Sequence, residues 1–70
     1  MKKKIKIKLN GKQKSIDENT TLFNIIKNSK IPLRKVAIEL NQEIVDKKKI
    51  RHINLKQNDK IEIVHFIGGG

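Results

Sequence analysis

The sequence predicts a small α+β domain, a mixed sheet of four to five strands with one main helix packed on one face. Three observations lead there. Apolar and polar residues alternate through 4–9 and again from Ile61 onward, the period of a half-buried strand. Leu22, Ile25 and Ile26 sit at i, i+3, i+4, the spacing of one helix face. Between these segments lie Asn10-Gly11, Ile31-Pro32, Asn41-Gln42 and Gln57-Asn58-Asp59, residues that suit turns and stops.

The elements follow in chain order. Ile5, Ile7 and Leu9 alternate with Lys4, Lys6 and Lys8 in a first strand. Asn10-Gly11 predicts a type I′ hairpin turn, since both of its central positions need positive φ. The returning strand, about Lys12 to Ile16, carries Lys12 and Lys14 and reads as a sheet edge, where lysine discourages pairing with other chains. Asp17 to Thr21 offers capping residues and first-turn acids for a helix from about Thr21 to Asn28. A helix that short holds only by packing across the sheet, and Pro32 disfavours its continuation through Ile31. Val36–Leu40 is a third strand with Val36, Ile38 and Leu40 on one face. Asn41-Gln42 turns into a short fourth, Glu43 to Val45. Asp46 to Arg51 is irregular or a single helical turn anchored by Ile50, with Ile53 and Leu55 buried beyond it. The order β-β-α-β-β-β is the β-grasp arrangement, in which the last strand lies centrally and parallel to the first. Residues 1–67 are expected to form this domain and 68–70 a flexible glycine tail.

Composition narrows the function. With 70 residues the core is only just sufficient. No cysteine is present, which excludes disulfides, thiolate metal sites and a cysteine nucleophile. His52 and His65 lack the partners of a metal site, and Asp59 reads as a turn residue bonding local amides. Neither a phosphate loop nor a nucleophile–base pair occurs, so no enzyme is expected and no bound cofactor or metal. The lysine-interrupted N-terminus is no signal peptide, and nothing approaches a membrane span, so a soluble cytoplasmic monomer is expected. The net charge of +10 raises nucleic-acid binding. Against it stand only two aromatics, Phe23 and Phe66, and two arginines. Lys, Ile and Asn make up half of the chain, a mixture that A·T-rich coding produces without a partner.

The sequence ends in Gly68-Gly69-Gly70, directly after an apolar strand. Glycine weakens regular structure, so a run of it serves no packing purpose. Without Cβ atoms it can thread a narrow channel, and four residues from Ile67 onward reach at most ~14 Å. The α-carboxylate of Gly70 is therefore the expected reactive group.

Val36 to Val45, then Leu55 to Asp59, then Ile61-Glu62-Ile63-Val64-His65-Phe66-Ile67-Gly68-Gly69-Gly70, resemble the ThiS family, ubiquitin-like sulfur carriers of thiamine thiazole synthesis. The resemblance covers nearly the whole chain and is most specific in its second half. Two departures are the basic charge and Gln57-Asn58-Asp59, which lacks the glycine common in that turn. The resemblance implies that an ATP-using, ubiquitin-activating-like adenylyltransferase adenylates Gly70. It further implies that a cysteine desulfurase relay converts the adenylate to a thiocarboxylate, and that thiazole synthase receives the sulfur. Gly68, Gly69 and Gly70 would enter the partner's active site. The chain itself would be a carrier and acyl substrate, with ATP bound by the partner.

If Ile61 and Ile63 face the helix, Glu62, Val64 and Phe66 face outward. Lys4 and Lys6 share that side where the first and last strands are neighbours. The expected docking face is Val64, Phe66 and Ile67, rimmed by Lys4, Lys6 and Glu62, since exposed aromatics anchor interfaces. Three alternatives stay open: the molybdopterin-synthase small subunit, a ubiquitin-like modifier, and a basic β-grasp nucleic-acid-binding module.

Overall fold

The structure, a computed structural model, describes residues 3–66. Ile67 and the glycine tail lie outside the described residues. Five strands and one helix follow in order: β1 Lys4–Leu9, β2 Lys12–Asp17, α1 Leu22–Asn28, β3 Val36–Leu40, β4 Glu43–Ile44 and β5 Lys60–His65. Two short 3₁₀ segments, Leu33–Lys35 and Lys47–His52, fill the connections. The sheet order is β2-β1-β5-β3-β4, with β1 and β5 parallel and the other pairs antiparallel. This is the β-grasp arrangement, with β5 at the centre.

Local chemistry explains each boundary. Asn10 and Gly11 adopt φ of 50° and 83°, as the hairpin turn requires. Nothing lies within 4 Å of where a Gly11 Cβ would sit, so the demand there is on backbone conformation alone. Asn41 and Gln42 also take positive φ, 53° and 73°, in the two-residue turn from β3 to β4. Thr21 caps α1 in a reciprocal box: its Oγ1 accepts from the Asn24 N–H, and Asn24 Oδ1 accepts from the Thr21 N–H. The first-turn acids expected from Asp17 and Glu18 are not there. β2 runs on through Asp17, and the helix starts only at Leu22. The Leu22 N–H, orphaned at the helix start, donates to the Ile53 carbonyl. At the other end Ser29 caps α1 and Lys30 turns at φ 57°, so the chain has left the helix before Pro32 is reached.

The core is aliphatic. Ile7, Leu22, Ile25, Ile26, Val36, Ile38, Ile50, Leu55, Ile61 and Ile63 are buried between the sheet and α1. Ile50 enters from the second 3₁₀ segment, which packs against α1. Ile53 is half-buried rather than buried, and its carbonyl accepts from the Leu22 N–H at the helix start. The fourth strand stops at Ile44, and Val45 packs partly against the core. Lys4 and Asp17 face each other across β1 and β2 with Nζ 2.6 Å from Oδ1, an exposed pair worth under ~1 kcal/mol. Among the described residues no helix is long and apolar enough to cross a membrane.

Ile61→Ala, at the fully buried centre, is expected to cost about 2–5 kcal/mol of unfolding free energy in a denaturant titration. Gly11→Ala is expected to cost about 1–2 kcal/mol through backbone conformation alone. An Ile61→Ala loss below ~1 kcal/mol would contradict the core described here.

Candidate functional site

Of the residues proposed for function, Glu62, Val64 and Phe66 lie on β5 or directly after it, and the ladder fixes which way each one faces. β5 pairs with β3 in the register Val36↔His65, Ala37↔Val64, Ile38↔Ile63, Glu39↔Glu62 and Leu40↔Ile61. Strand alternation buries Ile61 and Ile63 and turns Glu62 and Val64 to the open side. The Phe66 N–H donates to the Lys35 carbonyl at 3.0 Å, which extends the ladder by one rung past the end of β5. The Phe66 ring therefore follows Glu62 and Val64 on the open face. Val64 is 50% and Phe66 54% exposed.

Two neighbours of this patch are not visible in the sequence. Ile44 pairs with Glu39, lies on the same face and is 77% exposed. A two-residue strand carries no alternation from which to read its orientation. Lys47 approaches from the second 3₁₀ segment, its Nζ 5.3 Å from the centre of the Phe66 ring. A cation over an aromatic face at this distance is attracted by the ring quadrupole. The open face at the end of β5 thus holds Ile44, Val64 and Phe66, with Lys47 beside the ring and Glu39 and Glu62 opposite each other behind it.

Lys4 and Lys6 share the face but not the patch, and here the sequence-based rim is corrected. β1 and β5 are paired only at Lys8↔Lys60 and Leu9↔Ile61. Further back, β1 is covered by the preceding loop: the Lys6 N–H donates to Gln57 Oε1, the Asn58 N–H to the Lys6 carbonyl, and the Lys8 N–H to the Asp59 carbonyl. Lys4 therefore lies ten residues along the strand direction from Phe66, on the order of 30 Å at the rise of a β-strand. Alternation tells which face a residue takes and says nothing of stagger between strands. Ile67, Gly68, Gly69 and Gly70 lie outside the described residues.

The loop before β5 sets its start. Asn58 takes φ 72°, so asparagine supplies the left-handed conformation where a glycine was missed in the sequence. Asp59 accepts from the Lys56 N–H through Oδ2 and from Asn41 Nδ2 through Oδ1, the structural role expected of it. His65 continues β5 as an exposed residue. Among the described residues no group of three or more His, Asp or Glu side chains could hold a metal ion. The concavities on the surface are open and shallow; one of about 270 Å³ lies over Lys6, Lys8, Gln13, Asn58 and Lys60.

Both the sequence and the fold have known counterparts. The thiazole synthase of Magnetococcus marinus is 38% identical over 66 residues, which cover 94% of this chain and 20% of that protein. The chain thus spans about a fifth of that relative's length. The sulfur carrier protein ThiS of Bacillus subtilis is 35% identical over 65 residues, 91% of this chain and 98% of that protein. Among solved structures, the crystal structure of a thiamine biosynthesis protein, ThiS, from Geobacter metallireducens superimposes with a TM-score of 0.80 at 26% identity, covering 94% of this chain and all of that one. The sequence model of the ThiS family matches residues 7–70, from the middle of β1 to the last glycine, and with that match the chain belongs to the ThiS family.

Proposed function

We propose that this protein is a sulfur carrier of thiamine biosynthesis, whose Gly70 α-carboxylate is adenylated and then converted to a thiocarboxylate that donates sulfur to thiazole formation. The observation that carries the reading is the reach of the family match through Gly70, together with a sulfur-carrier relative matched over nearly its whole length. The chain is a carrier and acyl substrate and not a catalyst.

The chemistry follows from leaving groups. A carboxylate cannot be displaced directly, because oxide would have to leave. Attack of the Gly70 carboxylate on the α-phosphorus of ATP expels pyrophosphate and leaves an acyl-adenylate. A persulfide sulfur of the desulfurase relay then adds to the acyl carbon and AMP departs with the bonding pair, leaving an acyl disulfide. A partner thiol cleaves its S–S bond, giving the thiocarboxylate on Gly70 and a disulfide on the partner side. Stabilisation of the tetrahedral adduct must come from donors in the partner, since the carrier has none in its tail side chains. The ATP site, the ubiquitin-activating-like adenylyltransferase and the cysteine desulfurase relay belong to partners, and ATP-dependent activation goes with a cytoplasmic location. Relatives that hold a similar segment within a thiazole synthase support a thiazole-forming acceptor.

Docking is assigned to Ile44, Val64 and Phe66, with Glu62 at the margin and Ile67 leading into Gly68, Gly69 and Gly70. Desolvated aromatic and aliphatic side chains supply most of the binding energy of such patches. Lys4 and Lys6, on the order of 30 Å away by strand rise, act on encounter through the long-range field instead.

Incubation with the adenylyltransferase, ATP and a sulfur source is expected to raise the intact mass by the difference between sulfur and oxygen. Removal of Gly69 and Gly70 should abolish the gain, and an unchanged mass for the full chain would sink the reading. Val64→Ala with Phe66→Ala is expected to weaken the complex with that enzyme by roughly tenfold or more at any salt concentration. Lys4→Ala with Lys6→Ala should slow association only at low ionic strength. Equal affinity of the Val64/Phe66 variant and the unaltered chain would remove the patch from the interface.

A further inference from the structure

Resting on the carrier reading, the geometry points to a second mode of recognition: the free flank of β5 at Ile63–His65 accepts an extended strand of the activating partner, which pairs with it backbone to backbone and leads the tail into the active site.

The argument begins with the direction of the β5 amides. The Phe66 N–H faces β3, so by alternation Glu62, Val64 and Phe66 spend their backbone groups on β3 while Ile61, Ile63 and His65 direct theirs toward β1. At Ile61 that side is filled, because its carbonyl accepts from the Asn10 N–H at 2.8 Å. At Ile63 β1 has already ended, and the Asn10 side chain stands in for it: Oδ1 accepts from the Ile63 N–H at 2.8 Å. Beyond that point no strand of the sheet lies on this side. The Ile63 carbonyl and the His65 N–H face outward with no hydrogen-bond partner among the described residues.

The other two edges of the sheet are defended and this flank is not. β2 carries Lys12 and Lys14 along its outer edge, and β4 is only two residues long, both devices that blunt edge pairing. Ile63, Val64 and His65 include neither lysine nor proline. An undefended strand edge leading directly into the stretch that must be held in a partner's cleft suits β-strand addition, in which main-chain bonds give affinity and alternate side chains give specificity. Val64 and Phe66 supply those side chains on the open face. The occupant is a partner strand and not a second copy of this chain, because two copies each carrying +10 repel.

His65→Pro tests this directly. Proline removes the one outward N–H without touching the β3 ladder, since the His65 amide takes no part in it, whereas His65→Ala keeps the N–H. With the ATP-dependent adenylating enzyme as the probe, pyrophosphate exchange driven by His65→Pro is expected to fall roughly tenfold in kcat/KM while His65→Ala stays within about twofold of the unaltered chain. Amide exchange on the unaltered chain gives a second readout that holds even where His65→Pro folds poorly. The His65 N–H should exchange roughly tenfold more slowly in the complex than alone. Equal exchange at His65 in both states, or equal activity of the folded proline and alanine variants, overturns the pairing. So does protection of that amide through self-association of the free chain. If the unaltered chain is not adenylated at all, it is the carrier reading that fails; if it is adenylated and His65→Pro matches it, only the strand pairing fails.

Discussion

The register of β5 between β1 and β3 is the constraint on which the rest of this molecule depends. Strand side chains alternate, so a slip of one residue would turn Ile61 and Ile63 to water and draw Glu62 and Val64 into the core. Both flanks enforce the register observed. On one, Ile38↔Ile63 joins two buried side chains and Leu40↔Ile61 sets a half-buried one against a buried one; on the other, half-buried Leu9 lies beside Ile61. What faces outward at the end of β5 is a consequence of keeping two isoleucines dry.

The means of keeping them dry are modest. The side chains buried among the described residues are all Leu, Ile or Val, each contributing about 1.5–3 kcal/mol on burial. No buried side-chain polar atom among the described residues lacks a partner. Phe23 is not a core aromatic: it lies half-buried with the Arg51 guanidinium 4.3 Å from its ring centre, tying the second 3₁₀ segment to α1.

Much of this was legible in the residues. Asn10-Gly11 announced the hairpin, the Lys/Ile alternation announced β1, and Ile61 with Ile63 named the inward face of β5, because each of these signals is local. Stagger is not local. The face shared by Lys4, Lys6, Val64 and Phe66 could be read from parity, but the distance between them depends on where β1 and β5 overlap, and only two residue pairs fix that. The same reason hid Ile44, whose orientation comes from pairing with Glu39, and Lys47, which reaches Phe66 from an irregular segment. The missing acids at the helix start were a boundary effect, Asp17 being claimed by the hairpin before the helix could use it.

Asn10 carries a further consequence. It is followed by glycine, the setting in which a backbone nitrogen most readily attacks an asparagine side chain to form a succinimide and, after hydrolysis, aspartate or isoaspartate. Here the amide oxygen is engaged by the Ile63 N–H, and the Asn10 N–H is engaged by Ile61, so the side chain has little freedom to swing its carbonyl carbon onto the Gly11 nitrogen. The bond that finishes the central strand thus also holds the Asn10 side chain back from that ring closure; aspartate would keep an oxygen for the Ile63 N–H, whereas isoaspartate, which lengthens the backbone at the turn, would disturb the grip on β5.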